Sequence, residues 1–489
     1  MILTERRYMN LFIKKPLAQL MAQAEGSKEL RRTLGPGNLI ALGVGAIIGA
    51  GLFSITGLAA AANAGPAITI SFVVAALGCA FAGLCYAEFA SMIPIAGSAY
   101  TYSYATMGEF IAWIIGWDLV LEYALGAATV AISWSGYLGR FLEYYNIYLP
   151  PELSLSPFQT ATLADGTVVS GMINLPAVFI VVVVSLILIK GTRESALANA
   201  IIVALKVGVV LVFVILGWSY INPDNYVPYI PDNTGTFGEF GFSGIIRAAA
   251  IVFFAYIGFD AVSTAAQETR NPKRDMPIGI LGSLIVCTIL YILFAHVMLG
   301  LANYTEFAGK DGIAPVAVAI AHTPYVFLQQ AVILAILAGY ISVILVMLMG
   351  QSRVFYSMSQ DGLLPKFFSA VHPRFKTPYK SNFLFMIFVS LFAGFVPASV
   401  VGEMVSIGTL FAFVLVCIGI WVLRVKNPEA PRTFKVPMVP LIPILGVATC
   451  LFMMVFLPGD TWVRLMVWMA IGIAIYFLYS RHNSMLRKK

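Results

Sequence analysis

Apolar runs bounded by glycine, proline and charged residues divide the chain into twelve segments. They are read at about 36–62, 67–94, 108–142, 173–190, 195–220, 242–267, 277–303, 331–358, 381–397, 402–424, 438–457 and 461–480, and are numbered 1–12 below. A helix needs ~20 mostly apolar residues to cross a bilayer, and each segment fits such a crossing. Two polar connections are longer than the rest, at 144–172 and 304–330. The pattern predicts an all-α polytopic membrane protein with about twelve transmembrane helices.

Composition removes the main alternatives. The 489 residues are 60% apolar and 11% charged, whereas a soluble domain is roughly half apolar and a quarter charged. Length alone would suggest about three soluble domains, but so few charges could not cover three soluble surfaces. Aromatic residues at 13% exclude disorder. The five cysteines, Cys79, Cys85, Cys287, Cys417 and Cys450, lie inside apolar stretches without metal-ligand spacing, and read as small buried side chains. No cleavable signal peptide is expected in the first 34 residues.

The net charge of +7 gives orientation, not a nucleic-acid partner. With the N-terminus inside, 25 Lys and Arg fall on the inner side and four on the outer side, with Lys206 inside segment 5. That bias places both termini in the cytoplasm of a multi-pass cell-membrane protein and requires an even number of crossings.

Two segments carry glycine clusters near their middles: GAIIGAGLF at 45–53 in segment 1 and FFAYIGFD at 253–260 in segment 6. Small residues in a membrane helix also serve close packing. Paired interruptions at corresponding positions of two halves, however, point to a transporter binding site. Unwound backbone in a membrane needs partners for its N–H and C=O groups, and a zwitterionic amino acid offers both. Its carboxylate suits N–H groups at the broken helix end, and its ammonium suits the freed carbonyls. The candidate substrate contacts are Ile47, Ile48, Gly49, Ala50 and Gly51 in segment 1, with Phe254, Ala255 and Ile257 in segment 6.

These motifs, with YAE at 86–88, PIAGSAYTY at 94–102, ETRNPKRDMP at 268–277 and RVFYSMSQDGLLP at 353–365, resemble in order the amino acid–polyamine–organocation (APC) superfamily. The bacterial branch of the cationic amino acid transporter family is the most similar part of it. The resemblance implies a LeuT-type fold with 5+5 inverted repeats, discontinuous helices 1 and 6, and peripheral helices 11 and 12. It implies a cytoplasmic N-terminal segment at 1–35, a transport core at 36–424 with repeats at about 36–220 and 242–424, peripheral helices at 425–480, and a cytoplasmic tail at 481–489.

Ionisable groups inside a membrane are costly and are functional candidates by default. Lys206 lies about eleven residues from either end of segment 5, too deep to snorkel easily, and a buried lysine is able to exchange its proton. In the family, a lysine here takes the place of the sodium ion of sodium-coupled relatives, so the resemblance implies protons as the coupling ion and no other cofactor. Asp118 and Glu122 share a face of segment 3. Glu122 is read as a counter-ion for Lys206, a pore-lining group, a contact for a basic substrate, or part of a structural ion pair. Asp260 follows the break in segment 6. Glu88, Glu268 and Arg353 suit gate or loop ion pairs. Phe254 is a candidate lid. The resemblance turns segment 8 toward the substrate side chain, where Met347 would limit pocket depth and favour small or medium neutral side chains.

The expected function is uptake of L-amino acids by proton-coupled symport with alternating access. An amino acid exchanger is the alternative, and a membrane-embedded enzyme or sensor a distant one. No HExxH, GxSxG or phosphate-loop motif occurs, and of His296, His322, His372 and His482 only His296 falls in a segment. The expected partners are the small-molecule L-amino acid and the lipid bilayer, with no nucleic acid, and a small accessory membrane subunit is left open.

Overall fold

The computed structural model describes residues 10–16, 34–93, 98–162, 166–191, 196–266, 269–308 and 314–488. Among them, eight helical stretches are long and apolar enough to cross a membrane: Gly51–Met92, Glu109–Glu143, Ile201–Tyr220, Gly241–Ser263, Pro272–Leu301, Leu328–Gln360, Ala398–Lys426 and Gly459–Lys488. Four shorter apolar helices, Pro36–Ile47, Leu175–Lys190, Tyr379–Phe395 and Leu441–Phe456, fall in segments 1, 4, 9 and 11. The first long stretch joins the second half of segment 1 to segment 2 through a tight turn at Gly65–Ala67. Gly65 there has φ +57, a conformation open to glycine and strained for larger residues. The only strands among the described residues are Thr160–Thr162 and Val168–Ser170, an antiparallel pair inside the first long connection.

Segment 7 packs along segments 1 and 2, segment 3 against segment 8, segment 4 against segment 9, and segment 10 against segment 11. Burial separates core from periphery. The most apolar window of Gly241–Ser263 is 89% buried, whereas that of Gly459–Lys488 is 22% buried and turns Val463, Met466, Val467 and Ile471 outward. A helix apolar on its outer face suits lipid as its solvent.

Among the elements outside the segments read from sequence, two meet at one end of the bundle. A helix at Ser98–Thr106 precedes segment 3, separated from it by Gly108 at φ +105. Residues 10–16 run across this helix: Lys15 N–H donates to Tyr104 O at 3.1 Å, and Glu109 N–H donates to Ile13 O at 2.9 Å. The C-terminal tail reaches the same place, where Arg487 Nε donates to Glu109 at 2.7 Å. Both described chain ends therefore meet at one end of the bundle. All five cysteines are buried and unbridged.

Candidate functional site

Segments 1 and 6 are both interrupted at their glycine clusters. The helix Pro36–Ile47 stops where Ile48 turns extended at ψ 106, and helical structure resumes as the wide turn Gly51–Ile55. At that restart the Leu52 and Phe53 N–H groups donate to Gly49 O at 3.2 and 3.1 Å, and the chain between the two helical pieces runs over residues 48–50. Segment 6 runs as Gly241–Val252 and tightens into one turn at Phe253–Tyr256 before Ile257 becomes extended at ψ 137. Gly258 follows at φ +113, and a short helix restarts at Ala261–Thr264.

The two interruptions touch. A Cβ on Gly51 would run into the backbone and side chain of Ala255, and one on Gly258 would lie 3.0 Å from the carbonyl of Ala46. These glycines permit backbone-to-backbone approach, and Gly258 also supplies the left-handed dihedral. Side chains from other helices take up freed carbonyls, as a break inside a membrane requires. The Tyr291 hydroxyl of segment 7 donates to Ile47 O at 3.0 Å and Ala255 O at 2.8 Å, bridging the breaks. Tyr137 donates to Phe53 O at 2.5 Å, and Lys206 Nζ donates to Gly45 O at 2.6 Å.

Lys206 is 2% exposed and has its aliphatic stem against Gly339 of segment 8, whose Cβ would lie 3.1 Å from Lys206 Cε. It thus joins segment 5 to the edge of the segment 1 break and to segment 8. No ion pair links it to Glu122 among the described residues.

Glu122 instead lies against Asp260 and near Thr409 of segment 10. Asp260 accepts from Tyr123 and from Ser98 at 3.2 Å. Both oxygens of Glu122 and of Asp118, Asp260 Oδ1 and the Gln351 amide are buried without a hydrogen-bond partner of good geometry. Adjacent carboxyls in a dry site repel, so the pair needs a proton or a cation between them.

Segment 8 connects the two groups. Val343 lies 3.3 Å from where a Gly49 Cβ would be, Met347 Sδ 3.7 Å from that of Gly126, and Gly350 faces the Tyr123 ring at 3.5 Å. Ile47, Ile48, Ala50, Phe254, Ala255, Ile257 and Met347 all lie in the buried core of the bundle, Gly49 and Gly51 are buried as well, and of these the direct approach across the two breaks is that of Gly51 to Ala255. Glu268 lies outside the described residues. Glu88 accepts from Arg424 and Arg432.

Sequence reasoning missed Tyr291, Tyr137, Tyr123 and Gln351. A tyrosine among 22 carries no spacing signal, and its role rests on carbonyls freed elsewhere. Gln351, a polar amide within a long apolar run, gave a usable signal.

The paired helix breaks are bridged by a tyrosine and flanked by a buried lysine. Residues 34–476 match the family described as amino acid permease. The chain belongs to the amino acid permease family. The permease is 46% identical over 479 residues to the branched-chain amino acid permease BcaP of Bacillus subtilis, covering 98% of this chain and 99% of that one. It is 43% identical over 479 residues to the methylthioribose transporter of the same organism, covering 98% and 100%. It is 34% identical over 405 residues to the vacuolar cationic amino acid transporter 4 of Arabidopsis thaliana, covering 83% of this chain and 65% of that one. These relatives are named as transporters, not enzymes, and the permease is an integral membrane transporter of the amino acid permease family.

Proposed function

We propose that the permease is a proton-coupled symporter that brings neutral L-amino acids, with branched-chain ones foremost, into the cell by alternating access. The observation that carries this reading is the Lys206 ammonium donating to Gly45 O at 2.6 Å, a few residues before the segment 1 break. A protonated Lys206 supplies a cation there and holds segment 5 to segment 1. Its loss of a proton inside the cell removes that charge, loosens the contact and favours release. The α-carboxylate of the substrate binds N–H groups of the interrupted stretch at Gly49 and Gly51, and its ammonium binds freed carbonyls of segments 1 and 6. The side chain faces Met347 and Phe254.

Twelve crossings in a LeuT-type arrangement complete the reading, with inverted repeats at 36–220 and 242–424, peripheral helices at 425–480, and both termini in the cytoplasm of a cell-membrane protein. It is supported by eight long and four shorter apolar helices in the twelve predicted segments, the paired breaks and the lysine–arginine bias.

A second substrate reading follows from the methylthioribose transporter at 43% identity. Thermal unfolding of the purified protein with each of the twenty L-amino acids and with methylthioribose separates the two, since a bound ligand stabilises the native state. Stabilisation by branched-chain amino acids supports the first reading, and stabilisation by methylthioribose alone replaces it. Proteoliposomes then test coupling. Accumulation driven by an imposed pH gradient, unchanged when choline replaces sodium, supports symport. Uptake that needs internal substrate identifies an exchanger.

A further inference from the structure

Buried glycines in this bundle are of two kinds. Some are pressed by their neighbours. A Cβ on Gly116 of segment 3 would lie 2.6 Å from Met358 Sδ, one on Gly279 of segment 7 would lie 2.6 Å from Leu39 Cβ, and one on Gly408 of segment 10 would lie 2.9 Å from Leu121 Cβ. Such glycines let membrane helices approach closely. Gly126 of segment 3 and Gly402 of segment 10 are buried too, but they are not crowded. Among the described residues outside its own stretch of helix, a Cβ on Gly126 would have one atom within 4 Å, Met347 Sδ at 3.7 Å. One on Gly402 would meet only Ile55 Cδ1 at 3.6 Å and Thr129 Cγ2 at 3.9 Å. These are ordinary contact distances, so an alanine fits at either position without displacing a neighbour.

Close packing therefore does not account for these two missing side chains. Interiors are otherwise densely filled, and atoms bordering a gap lose their dispersion partners. The chain just before Gly126 is also irregular: Leu121–Leu125 form a wide helical turn, a feature frequent at functional sites.

The two glycines stand on different helices and border one region. Thr129, beside the Gly402 position, is about one turn past Gly126 on segment 3. Ile55 ends the restart of segment 1. Met347 is about one turn past Val343 on segment 8, and Val343 lies 3.3 Å from where a Gly49 Cβ would be. One turn advances about 6 Å, so the region begins within a side chain's length of the segment 1 break. The atoms nearest both glycines are apolar. Thr129 offers its methyl group there, because its hydroxyl donates to Leu125 O at 3.0 Å.

We propose that Gly126 and Gly402 are specificity-determining positions: the volume they leave open beside Met347 receives the apolar side chain of the transported molecule. The inference rests on the reading of the helix breaks as the site for the amino and carboxyl groups, and it adds what sets the size of the side chain accepted.

The test titrates purified full-length protein with L-leucine and with L-alanine and follows thermal unfolding. Without ligand, Gly126→Ala and Gly402→Ala should unfold at or above the wild-type Tm, because alanine favours a helix over glycine and meets open space. Gly408→Ala, which crowds Leu121, should unfold at a lower temperature. The added methyl group of Gly126→Ala or Gly402→Ala should weaken L-leucine binding at least roughly tenfold, the effect of one methylene in an apolar pocket, while L-alanine binds as it does to the wild type. Gly126→Val should abolish L-leucine binding. Unchanged L-leucine affinity in both alanine variants, or equal weakening of L-leucine and L-alanine, overturns the proposal. A ligand-free Tm below that of the wild type in both variants, or no folded protein, also overturns it, because protein then fills the space. Failure of the amino-acid reading shows separately, in a wild type stabilised by methylthioribose alone. The variants are then titrated with methylthioribose, whose weakened binding keeps the proposal and whose undiminished binding overturns it.

Discussion

Buried charge is handled in two different ways within this permease. At the end carrying the termini, Glu88 accepts from Arg424 at 2.8 and 2.7 Å, from Arg432 at 3.1 Å and from the Val436 N–H at 2.7 Å. Glu109 accepts from Arg487, Tyr104, Tyr476 and Ser484. Around the helix breaks, Lys206 has a single recorded acceptor, the carbonyl of Gly45, and Glu122 and Asp118 have oxygens without partners. A fully partnered buried charge has one favourable state and acts as a fixture. A charge with one neutral partner, or none, can change its protonation without breaking an ion pair. The first group therefore reads as scaffold and the second as working parts.

The largest expected effect tests the scaffold side. Glu88→Ala leaves two guanidinium groups without their carboxylate, and removing one partner of a buried pair costs about 3–5 kcal/mol. Thermal unfolding of the purified variant should show severe destabilisation or no folded protein. A Tm like that of the wild type would dissolve the distinction between the two groups.

Next comes Lys206→Ala. One hydrogen bond to a carbonyl and the packing of the stem on Gly339 are lost, but no ion pair is, so the variant should fold, at a cost of roughly 1–3 kcal/mol. Substrate binding, which relies on backbone groups, should persist in a thermal-shift titration. Accumulation in proteoliposomes under a pH gradient should fall at least about tenfold, which is about 1.4 kcal/mol in the coupling. Wild-type uptake should rise as external pH falls, because the inward proton gradient then grows. Proton-driven accumulation that survives Lys206→Ala would mean another group couples.

Met347→Ser is a smaller change that sharpens the picture of the pocket. Removing the thioether should admit longer or basic side chains, seen as new stabilising ligands among the twenty amino acids at a stability cost of about 2 kcal/mol. An unchanged ligand profile assigns pocket depth to a different residue.

The smallest effect on stability is expected for Glu122→Gln. It keeps the shape and removes no recorded ion pair, so unfolding should shift by no more than about 1 kcal/mol, whereas the pH profile of uptake should change. A large loss of stability would move Glu122 into the scaffold group.

Sequence alone determined what depends on local composition. Long apolar runs specify membrane helices because the bilayer leaves backbone groups no other partners. The two glycine clusters marked both interruptions, since glycine is the residue that releases a helix at low steric cost. Lys206 was conspicuous because a charge within an apolar run is rare. The tertiary structure alone decided which groups meet. Lys206 and Gly45 are 161 positions apart, Tyr291 and Ile47 are 244 apart, and Arg487 and Glu109 are 378 apart. The docking of residues 10–16 on the Ser98–Thr106 helix left no periodic trace, because it is made by backbone hydrogen bonds that any sequence offers. Hydropathy records how each residue partitions between water and lipid; which carbonyl a lysine finds is fixed only when distant helices close on one another.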